Sequence, residues 1–136
     1  MTLLLALFLV FGDISAIKSE ADLEKRSELA LANAERSMDE TRKAYVAGDQ
    51  QATEAALKEL TESINVCYDA LQRARTQPRK SKYYKHAEQR VSVLMRRLAG
   101  LRDDVSFEFR ASVETALKNV SDVHDQLIAD IMSKKK

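Results

Sequence analysis

The sequence predicts an all-α protein, an up-down-up-down antiparallel four-helix bundle behind an N-terminal signal peptide, and three observations carry that expectation. Apolar side chains recur at steps of three and four through four long stretches, the spacing that lines one face of a helix. Three Gly, one Pro and no Trp among 136 residues leave little to interrupt a helix, and Ala, Leu, Glu, Lys and Arg each cost little in a helix interior. The breakers that do occur, Gly48-Asp49, Pro78 and Asp103-Asp104, fall between the four stretches. At this length and 45% apolar content, one domain buries a single core without disulfide or metal staples.

Leu3 to Phe11 is a nine-residue uncharged run, followed by Gly12, Asp13 and Ile14-Ser15-Ala16. It is well short of the ~20 residues of a spanning helix, and Ala16 offers a small-residue cleavage site. Residues 1–16 therefore read as a secretory signal peptide and 17–136 as the mature bundle. No Lys or Arg precedes the run, which keeps an uncleaved anchor or a buried first helix as alternatives. No Cys follows it, which excludes lipoprotein anchoring. Export, to the periplasm in a bacterium, leaves the lone Cys67 without an internal partner, and it is expected as a buried small apolar residue.

The first helix is expected over about 20–47, with Ser19 as N-cap, acids in its first turn, and an inward stripe of Leu23, Ser27, Ala30, Ala34, Met38, Thr41 and Tyr45. Gly48 suits a left-handed C-cap and Asp49 caps the next helix at once, so the second, over 50–76, folds back on the first. Its stripe is Ala52, Ala56, Leu60, Ile64, Cys67, Leu71 and Ala74, widened by Leu57 and Tyr68, and Pro78 is expected to stop it near Gln77. Ser81 caps the third, over 81–102, with Tyr84, Ala87, Val91, Leu94, Leu98 and Leu101 inward and Met95 beside them. Gly100 is expected to begin its fraying. Ser106 starts the fourth, over 106–132, with Phe109, Val113, Ala116, Leu117, Val120, His124, Leu127 and Ile131 inward. Lys134 to Lys136 then suit its C-terminal dipole. Such helices make a bundle about 35 Å long.

Net charge is only +1, but its distribution is uneven. Residues 18–62 carry 7 cations and 11 acids, residues 73–102 carry 10 cations and one acid, Glu88, and residues 103–130 carry 2 cations and 7 acids. The basic segment Arg73 to His86 joins the two hairpins. Within it Arg79, Lys80, Lys82, Tyr83 and Lys85 are the candidate anion- or partner-binding residues, with Arg90, Arg96, Arg97 and Arg102 on the helix beyond. The competing reading is that these cations serve contacts within the bundle, each exposed pair contributing ~0 to 1 kcal/mol.

Little else points to chemistry. The residues three before His86 and His124 are Tyr83 and Ser121, so the Glu-x-x-His signature of di-iron bundles is missing. His124 lies in the apolar stripe as a core-edge residue, Cys67 is too buried a nucleophile to pair with it, and no Gly-rich loop cradles phosphate. No catalytic residue, cofactor or metal is expected.

Two resemblances add to this. Tyr45, Gly48-Asp49, Ala52, Ala55 and Ala56 resemble the turn of a tetratricopeptide unit. The second helix is too long for that repeat and no period of about 34 residues recurs, so only the hairpin geometry transfers. Through Tyr45 to Asp49, Pro78 to Glu88 and Leu98 to Arg110, the chain resembles small exported bacterial α-helical proteins of unassigned activity. That resemblance implies export and a helical fold. The expected function is a non-catalytic interaction or scaffold module of the cell envelope, partnered by an envelope protein. The alternative is electrostatic binding of an anionic membrane surface or polyanion through 73–86, with lipid or acidic protein favoured over nucleic acid. Dimerisation through the small-residue faces of the first two helices is a third possibility.

Overall fold

A computed structural model describes residues 14–133, which are helical apart from caps and turns. The apolar run Leu3 to Phe11 and the tail Lys134 to Lys136, on which the signal peptide and the C-terminal dipole contact were read, lie outside the described residues. Residues 14–18 form a short helical turn. Ile14 and Ile17 are buried, Ile17 within the main core, and Lys18 Nζ reaches Glu62 Oε1 at 2.7 Å. Four helices follow: α1 (Leu23–Val46), α2 (Gln50–Arg73), α3 (Lys82–Asp104) and α4 (Phe107–Met132). None of the described helices is long and apolar enough to cross a membrane.

Local chemistry sets the helix ends, and three differ from expectation. Asp22, not Ser19, caps α1, its carboxylate accepting from the N–H groups of Glu24 and Lys25. Ser19 instead donates its hydroxyl to the Ala16 carbonyl at 2.7 Å. At the other end of α1, Gly48 takes φ 75°. Its N–H donates to the Tyr45 carbonyl, and that of Asp49 to the Ala44 carbonyl, both at 3.0 Å, a complete Schellman pair. α2 ends at Arg73, where Arg75 adopts φ 57°. Pro78 acts later, as the second residue of a tight turn closed by Lys80 N–H to the Gln77 carbonyl at 3.0 Å. Gly100 causes no fraying: α3 runs through it to Asp104, because Leu101 and Val105 are buried on the far side of it. Ser106 makes no side-chain cap for α4. Its N–H donates instead to the Tyr45 hydroxyl at 2.8 Å, and the Tyr45 ring meets Phe109 edge-on at 5.3 Å.

The chain runs up, down, up, down, yet the helices are not ringed in chain order. α1 packs on α2 and α3, and α4 packs on α3 and α2, while consecutive α2 and α3 barely touch. Within each hairpin the helices are antiparallel, as Asn33 to Ser63 (2.8 Å) and Glu88 to His124 (2.8 Å) show. Between hairpins they are parallel. Glu28 and Glu35 meet Arg90, Asp39 meets Arg97 and Arg42 meets Asp104, with numbers rising together on α1 and α3. α3 therefore lies between α1 and α4, not between α2 and α4 as a simple ring would place it.

The stripe of α3 is buried as expected: Tyr84, Ala87, Val91, Leu94, Leu98 and Leu101 are each at most 3% exposed. α1 buries a second face as well, Leu31, Asn33 and Ser37, because α2 covers one of its flanks and α3 the other. Asn33 Nδ2 donates to Ser63 Oγ inside that α1–α2 contact, and Arg36 donates to Asn33 Oδ1. The alanines considered for dimerisation are partly used here, with Ala30, Ala34 and Ala70 fully buried within the one chain.

The two positive-φ positions give a direct check. Gly48 has open space where a Cβ would go, so Gly48→Ala is expected to cost about 1 kcal/mol from the backbone alone. Arg75→Gly, which relieves the same conformation, is expected to be neutral or stabilising by up to ~1 kcal/mol in urea unfolding.

Candidate functional site

Pairing divides the cations of α3 into two sets. The inward set faces α1. Arg90 reaches Glu35 with a two-pronged contact, Nε to Oε2 at 3.0 Å and Nη2 to Oε1 at 2.6 Å, while its Nη1 reaches Glu28 Oε2 at 2.8 Å. These hydrogen bonds and charges raise the guanidinium pKa above its usual value, against an opposing effect of burial. His86 Nδ1 lies 2.9 Å from Glu28 Oε1, and Arg97 Nη2 lies 2.5 Å from Asp39 Oδ1. Arg102 sits beside its neighbour Asp103 at 3.4 Å.

The outward set is the one the sequence singled out, plus one. Arg79, Lys80, Lys82 and Lys85 are all exposed, and so is Arg96 about three turns beyond Lys85 along α3. None of the five has a carboxylate within ion-pair distance among the described residues. Tyr83 is half-buried, with Lys82 Nζ 5.2 Å from its ring centre and the His86 ring edge-on at 6.4 Å. Ser81 orders this start of α3, its hydroxyl accepting from the N–H groups of Tyr83 (3.2 Å) and Tyr84 (3.3 Å). Arg73, at the edge of the segment, is paired with Asp69 at 3.2 Å. The sequence named Arg96 together with Arg90, Arg97 and Arg102, and spacing sets it apart from them: Lys82, Lys85, Gln89, Val93, Arg96 and Gly100 recur at steps of three and four, offset from the apolar stripe.

The remaining chemical side chains are held in structural contacts. Cys67 is 2% exposed, and desolvation pushes its thiol up to about 12, so the thiolate nucleophile is absent near neutrality. His124 is bound to Glu88 at 2.8 Å, the core-edge role expected of it. Tyr68 donates its hydroxyl to Asp130 Oδ2 at 2.7 Å, and burial followed by that bond raises its pKa. Among the described residues no three His, Cys, Asp or Glu side chains gather as metal ligands. A cleft of about 440 Å³ opens between α2 and α4 over Leu57 and Ala116, walled by Glu54, Lys58, Thr61, Ser112, Thr115 and Asn119. Its Thr61 and Thr115 hydroxyls donate to the backbone carbonyls of Lys58 and Ala111. No protein-family model matches this chain, and no curated protein or solved structure is significantly similar to it.

The two sets should behave oppositely in unfolding. Arg90→Met, which strips Glu35 of its two-pronged contact and leaves Glu28 only its contact with His86, is expected to cost roughly 1 to 2 kcal/mol in urea, whereas Arg96→Met should change stability by less than about 0.5 kcal/mol. The buried thiol sets a pH dependence. Its folded pKa lies above the ordinary value of 9.0, so the unfolded chain ionises first, and the thiol's contribution to stability, constant below about pH 9, falls as pH rises towards 12. Tyr84, raised to about 12 chiefly by desolvation, adds to the same fall. The urea midpoint measured from neutral to alkaline pH checks this, and Cys67→Ala should flatten part of the slope.

Proposed function

We propose that this chain is a non-catalytic helical-bundle interaction module of the cell envelope, exported by its N-terminal apolar run, and that it works by binding an anionic partner at the basic start of α3. The observation that carries this reading is the division of cations along α3 and the turn that leads into it. Arg90 and Arg97 already hold carboxylates, whereas Arg79, Lys80, Lys82 and Lys85 hold none among the described residues. Cations left in water beside each other repel, and a structural role would have placed acids near them as it did for Arg90. The engagement of Cys67, His86 and His124 in burial or pairing supports a binding role over a catalytic one.

A second reading, an uncharged protein partner, is favoured by one feature at the other end of the bundle. Val46 at 80% and Phe107 at 85% exposure stand beside the Tyr45–Phe109 contact. Salt separates the two, because charge-driven binding weakens steeply with ionic strength and apolar docking tolerates it.

Retention of residues 14–136 on an immobilised sulfated polymer should fall with added salt and vanish when Arg79, Lys80, Lys82 and Lys85 are all changed to Glu. Equal behaviour of the two folded proteins across the salt series would rule out the basic segment.

A further inference from the structure

We infer that the outward face of α3, from Arg79 to Arg96, is a docking surface for the phosphate headgroups of an anionic lipid bilayer, with α3 lying along the membrane plane. This rests on the anionic-partner reading above and gives that partner a shape. The face has one edge of cations and no counter-charge. Lys82, Lys85, Gln89, Val93, Arg96 and Gly100 are all exposed, while Tyr84, Ala87, Val91, Leu94, Leu98 and Leu101 behind them are all buried. Lys82 to Arg96 spans about 21 Å along the helix axis, and Arg79 and Lys80 extend the row into the loop.

The geometry argues for a flat surface over a compact ligand. Cations spread along a straight helix cannot converge on one phosphate, but each meets a different headgroup when the helix lies on a plane of them. The one carboxylate on this stretch, Glu88, is turned inward onto His124 at 2.8 Å, so nothing on the face repels an anionic surface. Val93, 45% exposed, lies between Lys85 and Arg96 and gives the row an apolar centre at the depth of the headgroups. The helix is held flat from behind. Its buried stripe is fixed to the core, and Arg90 and Arg97 clamp its flank to α1.

The test uses residues 14–136, phosphatidylcholine vesicles with and without phosphatidylglycerol, and soluble polyphosphate, each across a salt series. Binding is expected only to the vesicles with phosphatidylglycerol. Arg96→Gln should weaken it about fivefold, as removal of one surface cation does, with unfolding unchanged. Arg110→Gln, an exposed cation on another helix, should leave it alone. Loss of binding on reversing Arg79, Lys80, Lys82 and Lys85 with no effect of Arg96→Gln would overturn the lengthwise contact while leaving the basic start of α3 as the site. Binding of polyphosphate but not of vesicles would overturn the lipid assignment and keep the anionic-partner reading. Absence of binding to all three would overturn both.

Discussion

The fork of Arg90 between Glu35 and Glu28 fixes how the two hairpins of this protein lie. Each hairpin forms from local chemistry, a Schellman turn at Gly48 in one and the Val105-Ser106 corner in the other. Neither turn says how the hairpins should stack. A hydrophobic stripe is tolerant of sliding and of the order of its neighbours, since apolar burial has no direction. A guanidinium that must meet two carboxylates is not tolerant. With Glu35 gripped through two nitrogens and Glu28 through the third, α3 has one register on α1, and that register is parallel. Arg97 with Asp39 repeats the contact two turns on, and Arg42 with Asp104 reverses its sign near the top.

Once α3 is set beside α1, its surface has three roles. The apolar stripe is buried, one flank is joined to α1 by charge and the other to α4 through Glu88 and His124. The face that remains can only be water-facing, and it carries Lys82, Lys85 and Arg96 with Arg79 and Lys80 at its start. A strongly basic stretch of sequence thus becomes two populations with different work. One stabilises the stack and the other stays open to solvent.

Much of this was legible in the residues. The α3 stripe is buried position for position, Asp49 and Ser81 cap the helices expected of them, and Cys67 and His124 take the structural roles their neighbours suggest. What stayed hidden has a common cause: periodicity shows that a face is buried, not which element covers it. Hence Asn33 and Ser37 are missing from the inward stripe though both are buried, and a ring in chain order would have put α2 beside α3. Helix ends were misplaced where backbone conformation decided, as at Arg75, a residue type that seldom announces a positive φ. A weak signal of the parallel stack was present. Glu54, Ala56, Leu57 and Lys58 recur sixty positions on as Glu114, Ala116, Leu117 and Lys118, and the buried residues Thr53, Leu60 and Cys67 match Val113, Val120 and Leu127 at the same offset. Two similar hairpins laid side by side with one polarity place such residues at the same height.

The claim beneath this account is that charge on α3 is partitioned, with Arg90 bound to α1 and Arg96 not. A double-mutant cycle measures that directly. Glu35 and Arg90, neutralised singly and together, should show a coupling energy of roughly 1 kcal/mol or more in unfolding, and Glu35 with Arg96 should show none within error. Coupling of Glu35 to Arg96, or to neither, would contradict the parallel register and with it the assignment of the outward face.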